Sequence, residues 1–424
     1  MTVRFQFEWI DAGPSPDKLA QVTMAALRID VESSTITAVI DRSDRRYSET
    51  INVPLFSVAE WLVLNWFSIW HEVADAGEHS LDFESRHNLG VAGDGFALPR
   101  LLMSPASSER MNLEWESHRP QHSRVEFLEK GARSVERQQL DKELRTLIEA
   151  VLQRTQENPE TKDASEELRR VWSALNNLAD DEVEFSRAAA LFGADPFQIE
   201  DHEAAVITEF WRSAHASVRE DALAIAKGAG LSPVADWLKR AQTALAQTGQ
   251  HTDWPKVRDG LPAVAPGDRP WERGYELARH ARSQVKENGS PIDLQQGPAA
   301  VPHLEVSPPS IRIQGFVGDD GPACVMAPRS ALGKRFIQAR ALGDYLGRRT
   351  AGFGLLSSLA TERQAESRAF AAEFLAPSTS LRQRISAERV DSEQIDDLAR
   401  EFSVATTVIE HQIRNHRLAE VVSL

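Results

Sequence analysis

The spacing of apolar residues changes along this chain, and that change limits what it can fold into. Up to about Val53 apolar and polar residues alternate, as at Phe5, Phe7 and Trp9, and Thr35–Ile40 is β-branched and apolar. This is the pattern of half-buried strands. From Ser134 the spacing becomes helical: Val135, Leu140, Leu144, Leu147, Ile148, Val151 and Leu152 line one face of a long amphipathic helix. Further helices are expected at 166–178, 182–192, 202–213 and 217–247, with a break at Ala194–Pro196. Pro255, Gly260, Pro262, Pro266, Gly267 and Pro270 then mark a linker or surface arm. After it come a helix opening at Trp271, a strand at Ile311–Val317, a turn at Gly318–Gly321 and a returning strand at Ala323–Met326.

A chain of 424 residues exceeds one ordinary core. The expected fold class is α+β. An N-terminal mixed α/β domain spans 1–133 and an all-α region 134–248; the Pro/Gly-rich linker or arm spans 249–270. A C-terminal domain over 271–424 carries a small sheet and a helix-turn-helix-like tail. The formal net charge of −15 speaks against broad, charge-driven DNA binding. The single cysteine, Cys324, excludes a disulfide framework and a Cys-rich zinc site and suits a reducing compartment. No run of about 18 apolar residues is present, and Met1–Gln6 lacks the charged-then-apolar order of a signal peptide. A soluble, cytoplasmic protein with no membrane partner is therefore expected.

Ser57 is expected to cap a helix running to Trp70, with Glu60 at the capping-box position. Trp61, Trp66 and Trp70 suit a buried core helix, with an aromatic ligand groove as the alternative. The glycine-rich run Gly90–Gly95 lacks the Lys-Ser/Thr ending of a phosphate loop and contains Asp94, so no nucleotide site is expected. His118 and His122 are separated by Pro120, which argues against a shared helix face. His411 and His416 lie about 140° apart on a helix and are expected as surface or capping residues. Cys324 falls in a strand, where burial is the usual reason for a cysteine.

Three ordered pieces in the last third carry a resemblance. Within Arg335–Leu346, Phe336, Ala339, Leu342, Gly343, Tyr345 and Leu346 match the scaffold positions of a Phe-Thr-x-Ala-His-Glu-x-Gly-His-Tyr-Leu pattern. Glu366–Pro377 matches Glu-x-x-Ala/Asn-x-Phe-Ala-x-x-Leu-x-Pro, and Ile395–His416 reads as a helix-turn-helix-like tail. Over about residues 270–424 the chain thus resembles the ImmA/IrrE family of bacterial metallopeptidases. The resemblance implies a gluzincin-like domain. In such a domain two histidines four apart on one helix face and a glutamate from a second helix hold zinc, beside a general-base glutamate. Here Arg340 and Asp344 stand at the two histidine positions and Ala341 at the general base, while Glu366 occupies the former third ligand position.

Arg340 has no lone pair for a metal. Ala341 cannot accept a proton, and loss of a general base typically costs about 10²–10⁴-fold in rate. Asp344 and Glu366 alone do not make a tetrahedral zinc site. Hence no catalytic residue, no metal and no cofactor, zinc included, are expected. A charge cluster is expected in their place, with the Arg340 guanidinium bridging Asp344 and Glu366. A solvated Arg340–Asp344 pair on an exposed face is the alternative.

The function that the resemblance implies is that of a catalytically inactive relative which engages a protein partner in regulation, stress response, mobile-element control or phage defence. Two alternatives stay open. One is an active metallopeptidase that cleaves a repressor or antitoxin through a non-standard metal site. The other is a DNA-binding regulator acting through the tail, whose second helix carries Arg414. Glu410, Glu401, Asp396 and Asp397 leave that tail poor in positive charge, so DNA is not the favoured partner.

Overall fold

The computed structural model describes residues 2–422 except 78, 122, 228, 248–253, 262–268, 286–290, 329, 349–350 and 386–387. The fold is mixed α+β, built as two compact units, Met1–Ala204 and Ala205–Leu424. That division falls inside the stretch 134–248 read above as one all-α region. The helix Arg137–Glu157 belongs with the N-terminal strands because its apolar face, from Leu140 to Leu152, shares a core with Val3, Leu27, Leu62 and Leu113.

In the first unit, Val3–Trp9 pairs antiparallel with Met24–Val31, which also pairs with Ile51–Pro54. Leu101–Pro105, Arg110–Trp115 and Gly131–Glu136 form a second antiparallel sheet. Val135 is thus in a strand, and the long helix starts only at Arg137. The expected strand over Thr35–Ile40 is split between Ser34–Thr35 and Val39–Asp41, which lie in different sheets.

The tryptophan-rich segment is two helices, Leu55–Leu64 and Trp66–His71. Pro54, not Ser57, stands at the first N-cap, and the Ser57 hydroxyl donates to the Pro54 carbonyl at 3.2 Å. Proline's fixed φ lets the helix begin two residues before the expected cap. All three tryptophans are buried, as a core helix requires. Trp66 packs edge-on to Trp172 at 5.0 Å, with the Arg145 guanidinium over both rings.

In the second unit, the expected 217–247 helix is broken into Arg219–Ala226 and Leu231–Ala246 by Gly230, whose φ of +84° is open to glycine. Of the expected linker, Trp254–Gly260 is helical and Trp254 is fully buried, its indole donating to Ala300 O at 3.1 Å. Within that stretch, 249–253 and 262–268 lie outside the described residues.

The sheet has the order His303–Glu305, Cys324–Met326, Ile313–Val317, Gly354–Ser357, with the first pair parallel and the others antiparallel. Against it pack the helix Ala331–Gly347 and, next to that, Glu362–Leu375 and Pro270–Gln284. Glycines set how close these helices come. A methyl at Gly274 would overlap the Glu366 carbonyl and the Phe370 backbone nitrogen, and one at Gly343 would overlap the Phe370 ring. The tail forms Ser392–Phe402 and Thr406–Asn415, joined through Ser403 at a φ of 51°. Among the described residues, no helix is long and apolar enough to cross a membrane.

Candidate functional site

Ser330 caps the helix Ala331–Gly347 by accepting from Gly333 N at 3.0 Å. From Gln338 to Leu346 every residue of this helix is buried. The helix is therefore enclosed on all sides over two turns, so its polar residues must find partners inside the protein. Gln338 does so by donating to Val301 O at 2.8 Å.

Arg340 is 0% exposed. Its Nη2 donates to Gln364 Oε1 at 2.6 Å, to Ser367 Oγ at 3.2 Å and to Ser357 O at 3.3 Å. Nε donates to Ser367 Oγ at 3.3 Å, and Nη1 donates to Gln314 Oε1. Every one of these acceptors is neutral. Burial, together with repulsion from Arg368, lowers the Arg340 pKa to about 9, which still leaves it a cation at neutral pH.

Asp344, one turn further on, is enclosed by two other arginines. Arg348 donates to Oδ2 from Nε at 2.9 Å and from Nη2 at 2.7 Å, and Arg363 Nε donates to Oδ1 at 2.7 Å. Burial opposes ionisation of Asp344, but the two guanidiniums outweigh it and hold the carboxyl below its usual range. Gly354 is what allows this approach, since a Cβ there would overlap both Asp344 Oδ2 and Arg348 Nη2. Asp221 joins from the helix Arg219–Ala226, accepting from Gln364 Nε2 at 3.0 Å and lying 3.8 Å from Arg363. Burial raises its pKa.

The expected charge cluster is therefore not formed as anticipated. No ion pair joins Arg340 to Asp344 or to Glu366. Arg348 and Arg363 occupy both oxygens of Asp344, and Glu366 turns toward Pro270–Gln284, where Arg273 Nε donates to it at 3.0 Å. The exposed-pair alternative fails as well, because Arg340 and Asp344 are both buried. Ala341 lies in the apolar core.

Sequence reasoning missed Gln314, Ser357, Gln364 and Ser367, which supply the acceptors, and Arg348, Arg363 and Asp221. Gln364 and Ser367 share one helix with Glu366, and Arg348 follows Asp344 by four residues, so those were open to a spacing argument. Asp221 comes from more than a hundred residues upstream, where no local signal marks it.

Gln364 has a second role. It accepts from Ser357 N at 3.0 Å and donates to Leu355 O at 2.7 Å, satisfying alternate backbone groups of Gly354–Ser357, the last strand of the sheet. A side-chain amide so placed stands where a further strand would pair.

The residues present do not fit a zinc ion. Arg340, where the resemblance puts the first ligand, is a guanidinium with no lone pair, and Asp344, where it puts the second, is bonded on both oxygens by two arginines. Among the described residues, no group of three His, Cys, Asp or Glu side chains is arranged to hold a metal.

The tail is held by another buried carboxylate. Glu373 accepts from Ser378 Oγ at 2.9 Å, Gln412 Nε2 at 2.8 Å and Arg279 Nε at 3.0 Å, and lies 3.4 Å from His416 Nε2. His416 is the C-cap of Thr406–Asn415, one of the two roles expected for it, and its half-buried ring packs on Tyr275 with centroids 4.5 Å apart, while His411 is exposed. His118 stacks on Phe127 at 5.1 Å, and His122 lies outside the described residues. Cys324 is fully buried, and burial pushes its thiol well above the usual range. The run Gly90–Gly95 forms the end of a short 3-10 turn, with Asp94 at a φ of 43°. No family model matches the chain, and no curated protein matches it.

Proposed function

We propose that residues 271–424 form a catalytically inactive ImmA/IrrE-like domain and that the protein acts by binding a protein partner, in a regulatory, stress-response or defence role. The observation that carries the reading is Arg340. At the place where the resemblance puts the first ligand histidine, a fully buried guanidinium is bonded on every side by neutral oxygens. A guanidinium offers no lone pair to a metal, and Ala341 beside it offers no base for a hydrolysis. Gln364 supports the same reading, because it occupies the strand edge on which an extended peptide would lie.

The test is affinity capture of the full chain from its native host, with metal analysis of the same preparation. A partner recovered in stoichiometric amount from a preparation that lacks zinc and leaves that partner uncut is the expected result. Stoichiometric zinc together with cleavage of a repressor or antitoxin would overturn the reading.

A further inference from the structure

Around the buried network, cations and carboxylates are unevenly matched. Arg348 and Arg363 share Asp344, and Arg363 also approaches Asp221. Arg340 and Arg368 have no carboxylate within ion-pair distance among the described residues. They are neighbours: Arg340 donates to Ser367, the residue before Arg368, and the two charges repel. Arg368 is only partly buried, and among the described residues a single hydrogen bond, from Nη1 to Leu359 O at 3.1 Å, holds its guanidinium. Asp344 and Asp221 attract Arg340 only from beyond ion-pair distance; burying neighbouring cations without a direct ion pair is costly, and an anion that reached them would lower that cost. Arg340 is sealed, so the partly exposed Arg368 is the place where such a group can dock, with the nearby Arg340 charge adding to its field.

We propose that Arg368, backed by Arg340, forms an oxyanion-binding site that takes one carboxylate or phosphate group of a ligand. The site stands on its own geometry and does not depend on the partner-binding reading above. A guanidinium presents two parallel N–H groups to a carboxylate or phosphate, a pairing that a spherical halide cannot use.

The full chain is titrated with sodium phosphate and, separately, sodium acetate, with sodium chloride replaced to keep ionic strength constant, and its melting temperature is followed. Saturable stabilisation by phosphate or by acetate is expected, and the stronger of the two identifies the preferred anion class. Arg368→Gln should weaken the apparent affinity by about tenfold or more, while the exposed Arg170→Gln leaves it unchanged. If Arg368→Gln does not fold, Arg368→Lys replaces it. Lysine keeps the charge and loses the fork, so reduced affinity is again expected. Equal behaviour in chloride, phosphate and acetate, or unaltered binding in the folded Arg368 variant, would overturn the proposal.

Discussion

Arg340 shows at the scale of one residue how a buried cation can be held without a direct ion pair. Its five hydrogen bonds end on two amides, one hydroxyl and one backbone carbonyl. Arg340→Ala would strand Gln314, Gln364 and Ser367 in the interior, and a loss of about 2–4 kcal/mol is expected in urea unfolding. Glu373 titrates with consequences for stability. Burial alone would raise its pKa, but His416, Arg279, Gln412 and Ser378 hold it at about 2. Its folded pKa lies below that of an unfolded glutamate, about 4.3. Its stabilisation is therefore complete above that value and is lost as the pH falls toward 2. Glu373→Gln should flatten the pH dependence of unfolding in that window, measured by denaturation at stepped pH. That Arg340, Ala341 and Asp344 stand where the resemblance places a His-Glu-x-x-His frame was legible in the sequence. The partners of Arg340 were not, because a guanidinium can reach acceptors in several directions and only packing selects among them.

Between elements, the close crossings are set by glycines, of which the sequence reading valued Gly343 only as a scaffold position and did not single out Gly274. Gly343→Ala and Gly274→Ala each put a methyl into an occupied volume, against a ring in the first case and against backbone in the second. Rings and side chains can shift, whereas a helix backbone cannot, so the second should cost more. About 2 kcal/mol or more is expected for Gly274→Ala by calorimetry. The tail illustrates the same limit on inference. Both helices follow from their apolar spacing, and the first also from its cap, Asp391 accepting from Gln394 N at 2.9 Å. That Gln412 and His416 face a buried glutamate, and so tie the second helix down, depends on Glu373 lying some forty residues earlier. Duplex DNA is expected to show no salt-sensitive binding to the full chain, since the exposed side of this tail carries Glu393, Asp396, Asp397 and Glu401.

For the whole molecule, each unit has a core of its own, one running from Val3 to Trp172 and the other from Trp254 to Ile413. Arg145→Ala in the first removes a guanidinium that lies over two tryptophans and should cost about 1 kcal/mol. Combined with Glu373→Gln in the second, the losses should add, because no partner is shared. The sequence by itself determined which stretches alternate and which turn with helical period, and hence a mixed α+β chain too long for a single core. It also determined that no histidine pair stands where the resemblance places one. Only the tertiary structure decided that the long helix from Arg137 belongs with the N-terminal strands, that Trp254 leaves the expected linker for a core, and that Asp344 pairs with Arg348 and Arg363 instead of Arg340. The reason is physical. Periodicity reports which face of an element is apolar, whereas the partner of a buried charge is chosen by geometry among residues that the chain brings together from far apart.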